Sequence, residues 1–179
     1  MLLSFQYADP IVRYAIARNP TFNSLTADPV NPGALAAAWS EFSALDDSDR
    51  NLTPFAAKGG KLLIMHGTAD PLVSVRRSEL YVQQLKATMG ATTVDSFLRF
   101  YEVAGFGHSV SAQFNAAWDQ LTALENWTEK GVDPASNEIV TDTIGVPGRT
   151  RPLCQYPTFP KYKGTGDVNS AASFTCAAS

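Results

Sequence analysis

The chain lacks several features by which common classes of protein are recognised. It has no run of basic residues, and 14 Lys and Arg against 17 Asp and Glu leave a formal net charge of −3. Nucleic acid is therefore not an expected partner. No apolar stretch approaches the roughly 20 residues that a membrane-spanning helix needs. Met1–Pro20 lacks the charged start, apolar run and small-residue cleavage site of a signal peptide, so none is predicted.

Histidine and cysteine are also scarce, with 2 residues of each. A histidine base for hydrolysis could only be His66 or His108. Cys154 and Cys176 lie close together near the C-terminus, and would form a disulfide in a secreted protein or stay as two thiols in a reducing cytosol. If bonded, they would close a loop of about 20 residues and stabilise the fold by roughly 3 kcal/mol on the chain-entropy model.

What the chain does contain is enough apolar material for a packed core. Hydrophobic residues make up 45% and charged residues 17% of its 179 residues. These values indicate one globular domain, or a piece of a larger one, and argue against extensive disorder.

The most informative stretch, Gly59–Pro71, reads GGKLLIMHGTADP. Lys61–Met65 is a short apolar run bracketed by glycines, which predicts a buried parallel strand better than a helix. Asp70 follows in the loop just past the strand's carboxyl end. In open α/β sheets that edge is where ligands bind and chemistry occurs.

A helix and a second strand follow this loop. Ser74 is a suitable N-cap and Gly90 a suitable C-terminal residue for a helix over Val75–Met89. Its predicted apolar stripe consists of Leu80, Tyr81 and Leu85. The next strand, at Phe97–Val103, belongs to the segment FLRFYEVAGFGH, which ends at His108. A strand, crossover helix and strand of this kind predict a parallel pair.

Asp70 and His108 are the candidate acid and base of a hydrolytic triad. They are separated by 38 residues, which is one strand-helix-strand unit, so their loops should meet at one sheet edge. Each residue alone has a structural reading, because Asp before Pro commonly begins a turn and Gly-x-Gly-His can be only a tight turn. Their pairing at matching strand ends favours the functional reading. His66, at the end of an apolar strand, is expected to be a buried, hydrogen-bonded structural residue.

The remaining segments are predicted to be structural. Short helices are predicted at Ile11–Ala17 and Gly33–Phe42, and a long one at Ser111–Lys130, ended by Gly131. The long helix carries a helically spaced apolar stripe of Phe114, Ala117, Trp118, Leu121, Leu124 and Trp127. From Val132 onward, frequent prolines predict an irregular tail with one short strand, Glu138–Thr143.

No metal site is predicted. The acidic residues Asp46, Asp47 and Asp49 lack the glycine and glutamate that an EF-hand loop needs, since Asn51 and Ala57 occupy those places. They are read as a solvated turn.

The nucleophile of a hydrolytic triad is missing. A Gly-x-Ser-x-Gly elbow should precede both the acid and the histidine. None occurs in Met1–Gly60. Ser109 and Ser111 lie beside His108 but come after it, whereas the nucleophile should precede it. The chain is therefore predicted to be the C-terminal part of a longer hydrolase.

From about Leu45 to Cys176 the chain resembles the tannase and feruloyl esterase family of α/β-hydrolases, which also includes enzymes acting on aromatic plastic monomer esters. Four segments carry the resemblance: GGKLLIMHGTADPLVS, RFYEVAGFGH, ALENWTEKG and the C-terminal RPLCQYPTFPKYKGTGD with SFTC. The last is the most specific, because its proline, cysteine and glycine spacing has no generic reason to recur.

The resemblance implies an α/β fold, namely the last parallel strands and helices of an α/β-hydrolase followed by a disulfide-stapled irregular tail. Residues 1–50 would be a connecting segment returning from a lid, 51–131 the C-terminal core portion, and 132–179 the tail wrapping that core. Asp70 would be the triad acid and His108 the triad histidine, and Cys154–Cys176 the family's C-terminal disulfide. A secreted or periplasmic location is also implied.

The implied activity is hydrolysis of aromatic acid esters without cofactor or metal, with the chain inactive by itself. In many family members a cysteine follows the catalytic histidine and bonds to one beside the nucleophile; here Ser109 stands there, so that disulfide cannot form. The alternative hypothesis is a non-catalytic module that complements or binds another subunit. No feature of the sequence predicts an oligomeric state.

Overall fold

A computed structural model of the chain describes residues 3–45, 49–111, 113–135 and 138–178. The chain divides into two compact units, with the boundary between Asp49 and Arg50. The lid-return role predicted for residues 1–50, like the other two segment roles, stays a prediction.

The first unit is helical. It contains α1 (Leu3–Pro10), a π-helical segment (Ile11–Ile16), two 3-10 turns (Ser24–Thr26 and Gly33–Leu35) and α2 (Ala36–Ser43). Val12 and Ile16 are its buried hydrophobic side chains among the described residues. Both helices predicted in this region are present. The first ends at Ile16, because Ala17 is its C-cap and Arg18 adopts a positive φ of 52°, before Pro20 is reached.

The second unit is built on a parallel strand pair. It begins with α3 (Thr53–Ala57) and continues through β1 (Leu62–Gly67), α4 (Val75–Met89), α5 (Ala91–Asp95) and β2 (Leu98–Val103). β1 and β2 pair in parallel, with Leu62 opposite Leu98 and Gly67 opposite Val103. The crossover through α4 and α5 is what allows two parallel strands to lie side by side. The predicted α/β fold class is confirmed.

Helix α4 has the predicted bounds and caps. The Ser74 side chain accepts a hydrogen bond from the Arg76 N–H, and Gly90 ends the helix at φ 84°, a conformation that favours glycine. The predicted apolar stripe is wrong at Leu80, which is 39% exposed. Leu85 is buried as predicted, and Val82 is buried in place of Leu80, together with the side chain of Glu79.

Strand β2 lies between two hydrophobic cores and contributes side chains to both, because alternate residues of a strand point to opposite faces. Leu98 and Phe100 join Val82, Leu85, Val94 and Phe97 on the α4 face. Tyr101 and Val103 pack on the other face with Phe114, Val140 and Leu153. β2 is buried along nearly its whole length, whereas β1 is only half-buried up to Gly67, so the prediction of a buried first strand is wrong in degree.

The long helix predicted at Ser111–Lys130 is wrong at its beginning. The helix there is α6 (Gln120–Lys130), which starts after the cap Asp119 and ends at Gly131. Ala116–Ala117 forms β3 instead, pairing with Asp142 and Thr141. The apolar spacing suggested a helix because Phe114 and Trp118 are core residues, but they reach the core from an extended segment.

The C-terminal tail contains more strands than predicted. The predicted strand is present as β4 (Ile139–Asp142), and it is followed by β5 (Thr150–Pro152), β6 (Phe159–Tyr162) and β7 (Phe174–Ala177). β3, β4 and β5 form one antiparallel sheet, and β6 and β7 form another. Prolines are tolerated here because the strands are short and lie at sheet edges. The tail is mostly irregular, as predicted, but it contains three more strands than the one predicted.

The tail is attached to the core by backbone hydrogen bonds, and a disulfide closes a loop within the tail. The Tyr156 N–H donates to the Phe100 carbonyl at 2.8 Å, and Gln155 forms a bridge with Tyr101. Cys154 and Cys176 are disulfide-bonded, with 22 residues of sequence separation, as the family resemblance implied. A loop of that length corresponds to about 3 kcal/mol of stabilisation on the chain-entropy model.

None of the described helices is long and apolar enough to cross a membrane. Within the same residues, no group of three or more metal-binding side chains occurs. Of the acidic residues considered for a metal site, Asp49 is described, whereas Asp46 and Asp47 lie outside the described residues.

Candidate active site

Asp70 lies in a tight turn immediately after β1. Its Oδ1 accepts hydrogen bonds from the Leu72 N–H at 2.8 Å and the Val73 N–H at 2.9 Å. This Asx turn leads directly to Ser74, the cap of α4, so strand, acid and helix form one continuous local structure. The Asp70 side chain is 5% exposed. Its carboxylate is therefore held in one orientation by the backbone that follows it.

Gly67 allows the second loop to approach the first. A Cβ at this position would lie 2.1 Å from the Phe106 carbonyl oxygen, so only glycine fits without a shift of backbone. The same oxygen accepts a hydrogen bond from the Ala69 N–H at 3.0 Å, and the Gly105 N–H donates to Thr68 Oγ1 at 3.2 Å. The loops that follow β1 and β2 are thereby fastened to each other.

This attachment brings the two predicted residues together. His108 Nδ1 lies 2.9 Å from Asp70 Oδ2, a hydrogen-bond distance. The His108 side chain is 50% exposed, in contrast to that of its partner. Among the residues that the structure describes, none bonds His108 Nε2. A ring with Nδ1 bound to a carboxylate and Nε2 open can accept a proton from a nucleophile that approaches from solvent or from another segment.

The pKa of Asp70 reflects its surroundings. Burial opposes ionisation, but the N–H groups of Val73 and Leu72 and the contact with His108 outweigh it and lower the pKa to about 2. Asp70 is therefore a carboxylate at neutral pH, as the acid that orients a histidine must be.

His66 also contacts Asp70. Its Nδ1 lies 2.8 Å from Ser78 Oγ and its Nε2 lies 3.1 Å from the Val73 carbonyl oxygen. The same Nε2 lies 3.3 Å from Asp70 Oδ2, and the side chain is only 13% exposed. The structure confirms a largely buried, hydrogen-bonded histidine. Its contact with the acid does not follow from the spacing of 4 residues, which brings side chains together on a helix, whereas His66 lies in a strand and Asp70 in the turn after it.

Glu102 is a second acidic residue near this edge of the sheet, and sequence reasoning missed it. It lies opposite His66 in the strand register and faces Glu79 of α4. Burial, followed by the hydrogen bond and charge of Glu79, raises its pKa to about 7. Oε1 is buried without a hydrogen-bond partner among the described residues, which also disfavours a charge there. Arg76 pairs with Glu79, not with Glu102, and lowers the pKa of the Glu79 carboxyl.

We expect Glu102→Gln to stabilise the protein at high pH. Because the pKa of Glu102 is raised in the folded state, protonation of its carboxyl contributes to stability. This contribution is complete below the ordinary pKa of 4.5 and is lost as pH rises toward about 7. The neutral amide avoids this loss. Partial exposure screens the effect, so we expect a gain of about 1 kcal/mol in the free energy of unfolding at pH 8.

Urea denaturation at pH 5 and pH 8 measures this difference. At pH 5 the variant and the wild type should be close, because the carboxyl is largely protonated and already resembles the amide. An equal change in stability at both pH values would contradict the assignment of a raised pKa to Glu102.

The amino-acid sequence of the chain is similar to that of known esterases. The family model described as "Tannase and feruloyl esterase" matches residues 6–177. An uncharacterised esterase of Agrobacterium fabrum, Atu5261, is 39% identical over 177 residues, covering 97% of this chain and 31% of the relative. A mono(2-hydroxyethyl) terephthalate hydrolase of Piscinibacter sakaiensis is 34% identical over 157 residues, covering 84% of this chain and 26% of the relative.

Solved structures show a similarity to the same family. The crystal structure of feruloyl esterase B from Aspergillus oryzae superposes on this chain with a TM-score of 0.81 at 26% identity, covering 96% of this chain and 37% of that one. The chain therefore spans about a third of the length of the proteins to which it is similar.

Proposed function

The chain belongs to the tannase and feruloyl esterase family, and from that premise we propose that it is the C-terminal part of a serine carboxylic ester hydrolase. In this proposal Asp70 is the acid of the triad and His108 its base. The serine nucleophile and the groups that bind the oxyanion come from a more N-terminal part of the hydrolase.

One observation carries the proposal: the 2.9 Å contact between Asp70 Oδ2 and His108 Nδ1, at an edge where His108 is half-exposed. A carboxylate on Nδ1 keeps the proton on that nitrogen and leaves Nε2 as the basic atom. It also stabilises the imidazolium that forms when Nε2 takes up a proton.

The reaction then proceeds in two proton-balanced steps. His108 Nε2 accepts the serine proton as the serine oxygen attacks the ester carbonyl, and returns it to the departing alcohol when the ester bond breaks. Water attacks the resulting acyl-enzyme, giving its proton to Nε2, and the serine recovers that proton as the carboxylic acid leaves. Neither step requires a metal or a cofactor.

The exposure of β1 supports the proposal that another part of the hydrolase packs here. β1 carries Leu62, Leu63 and Ile64, yet it is only half-buried, and among the described residues only β2 pairs with it. An apolar strand with an unpaired edge is normally covered by a further strand. We propose that the upstream part of the same sheet covers it.

Esters of aromatic acids are the proposed substrates. The names of the relatives refer to feruloyl esters and to mono(2-hydroxyethyl) terephthalate, both esters of aromatic acids. We also propose a secreted or periplasmic location, which the Cys154–Cys176 disulfide favours because such bonds persist in oxidising compartments. With Ser109 after the histidine, the triad loops are held by the bonds around Gly67 and Phe106 in place of a second disulfide.

The test compares the 179-residue chain with the complete hydrolase. We expect the purified chain alone to show no turnover of a methyl hydroxycinnamate ester, because it has no nucleophile on the required elbow. The hydrolase containing the upstream serine should turn the ester over. Turnover by the chain alone, abolished by His108→Ala, would overturn the proposed division of the site.

A non-catalytic complementing module is the second candidate, and the half-buried β1 favours it as well. The upstream coding sequence distinguishes the two. A continuous reading frame with a Gly-x-Ser-x-Gly elbow supports the enzyme, whereas a stop codon immediately before Met1 supports the module.

A further inference from the structure

We propose that His66 is a positioning residue of the triad, which holds the Asp70 carboxylate in place through the 3.3 Å contact of its Nε2 with Asp70 Oδ2. The inference rests on the proposed function, since it concerns the same acid. It adds two groups to the serine, histidine and aspartate of the proposed triad: His66, which contacts Asp70, and Ser78 of α4, which orients His66.

The hydrogen on His66 Nε2 follows from the atoms that face it. Nε2 lies 3.1 Å from the Val73 carbonyl oxygen and 3.3 Å from Asp70 Oδ2. A carbonyl oxygen and a carboxylate can only accept hydrogen bonds, so Nε2 must carry a hydrogen. That N–H donates mainly to Val73 and makes a longer second contact with Asp70.

The other nitrogen fixes the ring. In the neutral ring Nδ1 has no hydrogen, so Ser78 Oγ–H donates to it across 2.8 Å. Ser78 lies in the first part of α4, and Val73 precedes the cap of the same helix. His66 is thus attached at both nitrogens to groups whose positions the helix determines.

The consequence for the triad lies at Asp70 Oδ2. This one oxygen faces both His108 Nδ1 and His66 Nε2, while Oδ1 is occupied by the Leu72 and Val73 N–H groups. The carboxylate cannot rotate without losing contacts on both oxygens. His66 therefore limits Oδ2 to the position from which it meets the His108 ring, and orientation of that ring controls the approach of Nε2 to the serine.

Two amide substitutions separate this role from simple packing. In His66→Gln the side-chain nitrogen can occupy the position of ring Nε2 and still donate toward Asp70. In His66→Asn the amide oxygen can occupy the position of ring Nδ1 and accept from Ser78 Oγ–H, but the donor toward Asp70 is lost. Both replace a ring with a neutral amide, which makes them a matched pair.

The measurement is ester hydrolysis by the complete hydrolase, with thermal melting of each variant. We expect His66→Asn to lower kcat roughly tenfold, about the loss of one polar contact with a charged group, with KM within about twofold. His66→Gln should retain most of kcat. The NMR signal of the His108 Nδ1 hydrogen should shift in His66→Asn and stay near its wild-type position in His66→Gln.

Two outcomes would overturn the inference. One is an unchanged kcat in His66→Asn; the other is an equal loss in both variants accompanied by an equal loss of thermal stability, which indicates packing alone. Failure of the proposed function is recognised separately, because His108→Ala would then leave ester hydrolysis intact. Loss of activity in His108→Ala without any effect of His66→Asn refutes only the positioning role.

Discussion

His108→Ala should lower kcat for ester hydrolysis by the complete hydrolase about 10⁴- to 10⁶-fold, the range typical of removing the histidine from a serine triad. In the proposed mechanism the substitution removes both the base that takes the serine proton and the acid that returns it to the alcohol. Because the side chain is 50% exposed and its ring is held by Asp70 alone among the described residues, the fold should be retained.

Ser109→Ala is the matched control for that variant. Ser109 is the exposed neighbour of His108, and its hydroxyl is not assigned to the site. We expect kcat to stay within about twofold of the wild type, since no transition-state contact is removed. A large loss in Ser109→Ala would point to this serine as the nucleophile, and an active His108→Ala variant would exclude the proposed triad.

Asp142→Asn should reduce the free energy of unfolding by about 3 to 5 kcal/mol, the cost typical of leaving a buried charge without its partner. Asp142 is completely buried, and its carboxylate lies 2.7 Å from Arg149 Nη2. It also accepts four backbone N–H groups, at distances between 2.7 and 3.1 Å, from Asn115, Ile144, Gly145 and Val146. The amide cannot supply the charge, and its NH₂ group must face some of these donors.

The position of Asp142 explains why its loss should affect the whole unit. Asn115 follows the His108 loop, whereas Ile144–Val146 belong to the tail, so one carboxylate joins the two segments. Burial opposes its ionisation, but the surrounding N–H groups outweigh burial and hold its pKa well below the ordinary value of 3.8. The stabilisation is therefore complete above that value and is lost as pH falls below it.

Asp119→Asn is a control with the same chemical change. Asp119 caps α6 at an exposed position, where its carboxylate accepts the Thr122 N–H at 3.1 Å. Asn and Asp are about equally good caps, so we expect the free energy of unfolding to stay close to that of the wild type. Urea denaturation of both variants at pH 7 gives the comparison. A loss at Asp142 no greater than at Asp119 would show that the buried carboxylate is not a principal contributor to stability.

The local elements were the most predictable part of the fold. Ser74 and Gly90 marked the ends of α4 because capping depends on residues adjacent in sequence. The helix at Ser111–Lys130 was predicted too long for the complementary reason. The spacing of apolar residues indicates which side chains are buried, but not the backbone conformation. Phe114 and Trp118 could reach the core from a helix or from an extended segment packed on it. Leu121, counted in the same stripe, is 68% exposed.

The sequence by itself determined the strand-helix-strand unit, the placement of Asp70 and His108 on its two loops, and the absence of a nucleophile elbow from Met1–Gly60. These are matters of composition, order and spacing, which need no coordinates. The tertiary structure decided which side chains meet: His66 with Asp70, Glu102 with Glu79, and Asp142 with Arg149 and the Asn115 N–H. Such contacts join residues from different elements, and the packing of those elements, which sequence spacing does not specify, brings them within hydrogen-bond distance.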